Sequence, residues 1–231
     1  MTMKTLLQVS FQGWTATPRM PFILSGNAVC MPTPSYSLLL GLVGCCVGRP
    51  VEPEEVRIGF RYAYDATAVD IETRHRLVKD GGKIKSHSKG TDAYSREFHV
   101  NPKLTLWLDK VDWLGYFKKP VGAPALGRSQ DLMKILSVEE VQVTPIEEAR
   151  INGTLLPFTG QLNSAGQLVQ LVEAYRENED VGTGRTATAS RIFLAIPFMS
   201  EEEERASAPI AFPNLYQTAN QQVLYLHDWQ L

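Results

Sequence analysis

Val56-Arg-Ile-Gly-Phe-Arg-Tyr-Ala-Tyr-Asp65 is the stretch on which the fold turns: Val56, Ile58, Phe60, Tyr62 and Tyr64 alternate with Arg57, Gly59, Arg61, Ala63 and Asp65. A two-residue period marks a strand with one buried face. The alternation continues weakly to about His75. Lys79-Asp-Gly-Gly-Lys83 and the run from Lys85 to Gly90 are then polar, glycine-containing and almost free of apolar residues. From Tyr94 the pattern returns through Phe98, Val100, Leu104, Leu106 and Leu108, with Pro102 interrupting it. The whole segment predicts a long hairpin with its base in a sheet and its tip in solvent. With so little apolar surface to hold it, the tip is expected to order only on binding something.

Toward the N-terminus, Leu7, Val9 and Phe11 give residues 4–12 the same strand period, and a Pro- and Gly-containing loop covers 13–32. Thr33-Pro34-Ser35 suits a helix start, with Thr as cap and Pro in the first turn. The helix is expected over 34–47, with Gly41, Gly44, Cys45 and Cys46 as a thin face for packing on the sheet. Toward the C-terminus, 113–119 reads as a short helix, Leu126-Gly-Arg-Ser-Gln-Asp131 as a turn, and 132–136 and 138–143 as strands. The order β-α-β-(hairpin)-β-(α)-β predicts an α+β fold with a ferredoxin-like or RRM-like core. The domain organisation expected is 1–145 for that core, with the arm inserted at about 74–100, and 146–231 for a smaller β-rich part. Within the latter, Ser164-Ala-Gly-Gln167 reads as a capping box before an amphipathic helix carrying Leu168, Val169, Leu171, Val172 and Tyr175. Residues 182–185 read as a flexible turn, 191–198 as a strand, Glu201–Glu204 as a solvated turn, and 223–226 as strand-like.

With 231 residues, 44% hydrophobic and 21% charged, the composition is that of a globular protein with a sizeable core. No apolar run approaches the roughly 18 residues of a membrane span. The first residues enter a strand rather than a signal peptide, so a cytoplasmic location is expected. Three cysteines, two of them adjacent, make neither a disulfide framework nor a zinc site. They are expected as small apolar residues.

The net charge of −2 conceals an asymmetry. From Arg74 to Lys103 there are eight Lys/Arg and three acids, giving +5, while the remainder carries −7. A cationic arm on an anionic body suits local contact with a polyanion; a solvated hairpin kept soluble by its lysines has the same composition. The sequence holds no P-loop, no dinucleotide fingerprint, no H-E-x-x-H and no G-x-S-x-G. His75, His87 and His99 are spaced along the arm, where a general base would lack fixed geometry. No catalytic residue, metal or cofactor is therefore expected. Gly127, Arg128 and Ser129 offer backbone N–H groups, a guanidinium and a hydroxyl in one turn, which suits a phosphate or base edge but also an ordinary surface turn. Ser35 and Tyr36 at the first helix start are open to the same two readings.

The Pro-Thr-Pro-Ser-Tyr-Ser-Leu-Leu-Leu-Gly-Leu segment at 32–42, the basic hairpin before Phe98-His-Val-Asn-Pro-Lys-Leu104, and Leu126–Asp131, in that order, resemble the Cas-five subunit of type I CRISPR interference (Cascade) complexes, nearest to type I-B. The likeness covers about 4–145 well and the C-terminal part loosely. It implies a ferredoxin-like core of the RAMP superfamily with a long β-hairpin thumb. Such a subunit caps the Cascade backbone, grips the 5′ handle of the CRISPR RNA and supports target DNA recognition. The implied partners are the CRISPR RNA, the backbone subunit, the large subunit and, indirectly, target DNA. Carried onto this chain, Arg74, Lys83, Lys85, Lys89 and Arg96 of the thumb would meet phosphates. Ser35, Tyr36, Gly127, Arg128 and Ser129 would line the handle cleft, with Arg19 and Arg185 added on charge and loop position. The type I-C branch uses a Tyr, a Lys and a His as a metal-independent endoribonuclease. This sequence lacks a Lys-His pair at the matching place, so a non-catalytic subunit is expected, with the endoribonuclease as the alternative. A module whose arm docks an acidic protein is a third reading.

Overall fold

The structure is a computed structural model that describes residues 2–22, 27–160, 162, 164–178 and 184–230; the side chains of Arg74 and Lys89 are not among those described. Along the chain run β1 (Lys4–Gly13), α1 (Tyr36–Val47), β2 (Ile58–Ala63), β3 (Ala66–Asp80), β4 (Lys83–Val100), β5 (Lys103–Leu108) and α2 (Leu114–Lys118). There follow β6 (Met133–Ala149), β7 (Thr154–Pro157), β8 (Gln167–Val172), β9 (Ser190–Ile196), α3 (Glu201–Ala206), β10 (Ile210–Thr218) and β11 (Val223–Tyr225). A few two- and three-residue strands lie between them.

The main sheet is antiparallel with strand order β11-β10-β6-β1-β5-β2. Its β6-β1-β5-β2 portion, which ends at the β2 edge, contains the strands of two β-α-β stretches, β1-α1-β2 and β5-α2-β6. One face carries the alternating Leu7, Val9, Phe11, Ile58, Phe60, Tyr62, Leu104 and Leu106 against Leu39, Leu42 and Val43 of α1. These apolar contacts supply the main driving force for the fold, at roughly 25 cal/mol per Å² buried. The opposite face holds a second cluster of Leu6, Trp107, Val143, Tyr216, Leu224 and Leu226. The sheet curls around this cluster until its two edges meet, where the His227 N–H donates to Ile58 O at 3.0 Å.

α1 is capped by Ser35 rather than Thr33: the Ser35 Oγ accepts from Leu38 N at 3.3 Å, while Thr33 is buried ahead of it. Its buried face carries Leu39, Leu42 and Val43, with Cys46 of the expected thin face also in the core, whereas Gly41 opens outward with nothing near the position of a Cβ. A second antiparallel sheet, β8-β9-β7, covers the N-terminal end of α1. Here the expected helix after Ser164 is a strand. Gln167-Leu-Val-Gln-Leu-Val172 fits either period in isolation, but pairing with β9 buries Val169 and Leu171 and exposes Leu168, a two-residue alternation. The acidic run at Glu201–Glu204 is α3 rather than a turn, because Ser200 and Glu203 form a capping box at its start. Residues 182 and 183 of the expected turn lie outside the described residues.

β3 and β4 form one hairpin, paired from Ala66–Val100 out to Asp80–Lys83. At ~3.3 Å per residue its 15-residue outgoing strand is about 50 Å long. Gly81 and Gly82 close it with φ of 52° and 80°, the two positive values of a type I′ turn, which matches the strand twist. Pairing is interrupted only where Arg76 stands opposite residues 87–90, between the His75–Thr91 and Leu77–Ser86 pairs. The base is stitched into the body. Residues 15–16 pair antiparallel with His99 and Val100, and residues 27–28 pair parallel with Ser95 and Arg96.

Candidate nucleic-acid interface

Where the hairpin base meets the turn after α2, a cleft of ≈ 320 Å³ is lined by Thr17, Arg19, Ser35, Arg96, Gly127 and Arg128 among others. Four chain segments distant in sequence supply these residues. The turn is locked in place: Gly127 has a φ of 119°, and a Cβ there would lie 2.6 Å from Thr17 O. Only glycine meets both constraints, and it thereby presents Arg128 at the cleft wall.

Arg128 is held by carboxylates on two sides. Its Nη2 and Nε donate to Asp131 Oδ1 and Oδ2 at 3.0 and 3.1 Å, and its amide donates to Oδ2 at 2.9 Å. Asp131, at 0% exposure, also accepts from the Thr15 and Thr17 hydroxyls at 2.7 and 2.6 Å. Burial raises the Asp131 pKa, but the Arg128 guanidinium and the two hydroxyls outweigh it, so the carboxyl stays below its ordinary value. On the other side Arg128 Nη1 donates to Glu72 Oε1 at 2.8 Å, and Arg96 Nε forms an ion pair with that same oxygen at 2.8 Å. Desolvation pushes Glu72 up, and the two arginines pull it below the ordinary range. The guanidiniums also sit over rings: Arg96 is 5.3 Å from the Tyr94 centroid and Arg128 5.9 Å from that of Phe98. Arg19, exposed at the rim, donates to Tyr94 Oη at 3.4 Å. Arg19, Arg96 and Arg128 together bring three guanidiniums to one cleft, groups whose planar donors suit phosphate oxygens.

The structure thus brings together Arg19, Ser35, Arg96, Gly127 and Arg128, with exposed Ser129 next in the turn. Arg96 belongs to this cleft and not to the exposed arm. Lys83 and Lys85 are exposed at the hairpin end, where Lys85 pairs with Asp80 at 2.7 Å. Arg185 lies elsewhere, on a cleft beside α1 with Arg49 and Tyr175, and faces Glu177 at 3.6 Å. Tyr36 is not a surface contact in this structure. Its ring is buried and stacked 3.8 Å from His227, and its hydroxyl donates to Leu155 O at 2.7 Å. The Arg74 and Lys89 side chains fall outside the described ones. His99, counted in the sequence as an arm residue, is instead 2% exposed, 2.8 Å from Tyr62 Oη and stacked on Tyr64. Desolvation pushes its imidazole down to about 4.

Sequence reasoning missed the two carboxylates that aim the arginines. Asp131 had a local signal, three residues after Arg128 in the same turn; Glu72 had none short of knowing the hairpin register. Among the described residues no group of three or more His, Cys, Asp or Glu could hold a metal ion, and no helix is long and apolar enough to cross a membrane.

No protein-family model and no curated protein matches the chain. Solved structures do. A chain of a CRISPR RNA-guided surveillance complex aligns with 84% of this chain and 90% of its own, at 17% identity and a TM-score of 0.53. A CRISPR protein from Archaeoglobus fulgidus aligns over 96% of this chain and 100% of its own, at 11% identity and a TM-score of 0.49. A chain of a type III-B Cmr-beta complex bound to cognate target RNA aligns over 84% and 85%, at 8% identity and 0.47. At 17% identity the first of these likenesses is one of fold alone: a mixed, mostly β architecture shared with that chain of the surveillance complex.

Proposed function

We propose that this chain is a non-catalytic, RNA-binding subunit of a CRISPR RNA-guided complex, of the Cas-five kind and nearest to type I-B. It would bind the 5′ handle of the CRISPR RNA and cap the backbone filament, in contact with the backbone and large subunits, and so support target DNA recognition in the cytoplasm. The observation that carries this reading is the convergence of Arg19, Arg96 and Arg128 with Ser35 and Gly127 on one cleft at the hairpin base. The β6-β1-β5-β2 order supports a ferredoxin-like core, and the hairpin inserted between β2 and β5 supports a thumb that lays Lys83 and Lys85 on the guide. We read residues 1–145 as the RNA-binding unit and 146–231 as a β-rich part whose last two strands return to the same sheet.

Binding of the full chain to RNA carrying a repeat-derived 5′ handle tests this, by fluorescence anisotropy across a salt series. Affinity is expected to fall linearly in log–log form, with a slope of about −0.7 per phosphate contact. Arg19→Ala should weaken it while leaving the fold intact, because that side chain is at the rim. No salt-sensitive binding, or no effect of Arg19→Ala combined with Lys83→Ala and Lys85→Ala, would sink the proposal. Incubation with repeat RNA in EDTA is expected to leave the RNA whole. Specific cleavage there would replace this reading with the endoribonuclease one.

A further inference from the structure

Trp14 is held out into solvent. It follows β1 directly, and its backbone is fixed on both sides: Gly13 N donates to Pro102 O at 3.0 Å, Asn101 N to Trp14 O at 3.0 Å, and Thr17 N to Leu126 O at 2.9 Å. The residue is 85% exposed. The other three tryptophans are placed in the ordinary way. Trp107 and Trp113 are buried, and Trp229 is half-buried with its indole N–H donating to Val56 O at 2.8 Å. A large ring on a rigid backbone with no apolar cover is a platform awaiting a flat partner.

Beside the ring lies a cleft of ≈ 610 Å³. Leu132, Met133 and Leu136 give it apolar surface, and Gln12, Asn101 and Lys134 give it polar groups. Leu136 is available because the β1–β6 register shifts between Ser10 and Phe11, which leaves residue 136 without a partner and its side chain exposed. Gln12 is paired with Lys134 on β6 and Lys103 on β5; directly opposite residues share a face of the sheet, so two ammonium groups flank one amide there. The Asn101 amide already donates to Asp65 at 3.0 Å, which leaves Gln12 and the lysines as the polar readers.

We infer that Trp14 and this cleft form a second subsite for single-stranded RNA, in which an unpaired base stacks on the indole while Lys134 and Lys103 attract the adjoining phosphates. The inference rests on the RNA-binding reading above and deepens it. An aromatic platform flanked by cations is how sequence-tolerant single-strand binding is built. Continuity favours RNA over a peptide: the two segments that line the arginine cleft through Thr17, Arg19, Gly127 and Arg128 also line this one through Gln12, Trp14 and Lys134. Trp14 and Thr17 are three residues apart, at most about 10 Å at ~3.3 Å each, so one short stretch of RNA would span both.

The exposed indole reports on its own occupancy. Twelve-nucleotide oligoadenylate RNA is added to the full chain and to Trp14→Ala, and the difference in emission isolates Trp14, while filter binding gives affinity independently. Oligoadenylate is expected to quench the Trp14 signal, a base-free ribose-phosphate 12-mer to leave it unchanged, and Trp14→Ala to bind oligoadenylate roughly tenfold more weakly. Trp14→Phe should retain most of the affinity, and inorganic polyphosphate should bind wild type and Trp14→Ala alike. If RNA binds with Arg19-dependent affinity while Trp14 emission is silent or Trp14→Ala binds as wild type, the subsite is wrong and the RNA-binding reading stands. If filter binding detects no RNA at low salt, both are wrong. If the isolated chain shows no quenching by RNA but Trp14 is shielded from acrylamide in nuclease-treated protein purified from its host, a protein occupies the cleft and the inference is overturned.

Discussion

Glu72, in the hairpin, accepts a hydrogen bond from Arg128, in the turn after α2, at 2.8 Å across 56 positions of sequence. Arg96 reaches the same oxygen, so one carboxylate of the arm neutralises two of the three guanidiniums of the cleft. On the proposed RNA-binding reading, a phosphate entering the cleft would compete with this carboxylate for the two guanidiniums.

Glu72→Gln is accordingly expected to raise RNA affinity severalfold at low ionic strength and to steepen the log–log salt slope, since Arg96 then lacks its carboxylate and Arg128 keeps only Asp131. Anisotropy titrations at several salt concentrations check both. A fall in affinity would mean that Glu72 serves to anchor the hairpin and that its competition with phosphate is secondary.

Asp131→Ala should behave in the opposite way. The carboxylate is fully buried and satisfies Arg128, Thr15 and Thr17 together. Its removal leaves Arg128 with Glu72 as its one carboxylate and the two hydroxyls without their acceptor, at a cost of roughly 1–3 kcal/mol per group left unsatisfied. Chemical denaturation should show the loss, and RNA affinity should drop as the turn loses its shape. An unchanged denaturation midpoint would mean the network has no structural role.

How much of this was written in the sequence depends on the range over which each signal acts. Val56–Asp65, Leu7–Phe11 and Leu104–Leu108 alternate so regularly that the sheet face and its strands could be read directly, because the two-residue period is local. Gln167–Val172 could not be read, since two consecutive apolar pairs satisfy both periods and only the β9 partner decides between them. Arg96 looked like a member of the basic arm because charge is counted along the chain, whereas the parallel strand at 27–28 fixes its position at the hairpin base. His99 misled for the same reason: along the chain it counts with the charged residues of the arm, but its neighbours in space are Tyr62 and Tyr64.

Lys83 and Lys85 project beyond the arginine cleft at the far end of a hairpin about 50 Å long. Their double substitution by Ala should leave thermal stability unchanged, because both side chains are exposed and the Lys85–Asp80 pair is a surface ion pair worth little. The salt slope for RNA longer than the handle should flatten by about 1.4 if both lysines meet phosphate, and by nothing for RNA limited to the handle. A uniform loss on both RNAs would place the tip on the handle instead of the guide.

The buried histidines make stability depend on pH in a window separate from that of the carboxylates. His99 is pushed down by burial to about 4 from an ordinary value of 6.5. His227 is lowered as well, by desolvation that outweighs its contact with Glu173. As pH falls below about 6.5 the unfolded chain takes up these protons and the folded chain does not, so acid favours unfolding; above that value neither group changes the balance. Each such proton contributes a slope of at most about 1.4 kcal/mol per pH unit. Asp131 and Glu72, held below their ordinary values, add their loss only at lower pH, because their stabilising ionisation persists until the solution nears the carboxylate range. Denaturation midpoints at pH 7.5, 6.5 and 5.0 should therefore fall between the last two and stay level between the first two, and His99→Gln should fall less steeply. A midpoint that does not change down to pH 5.0 would show that the Tyr62–His99–Tyr64 stack accepts a proton as readily as free imidazole does.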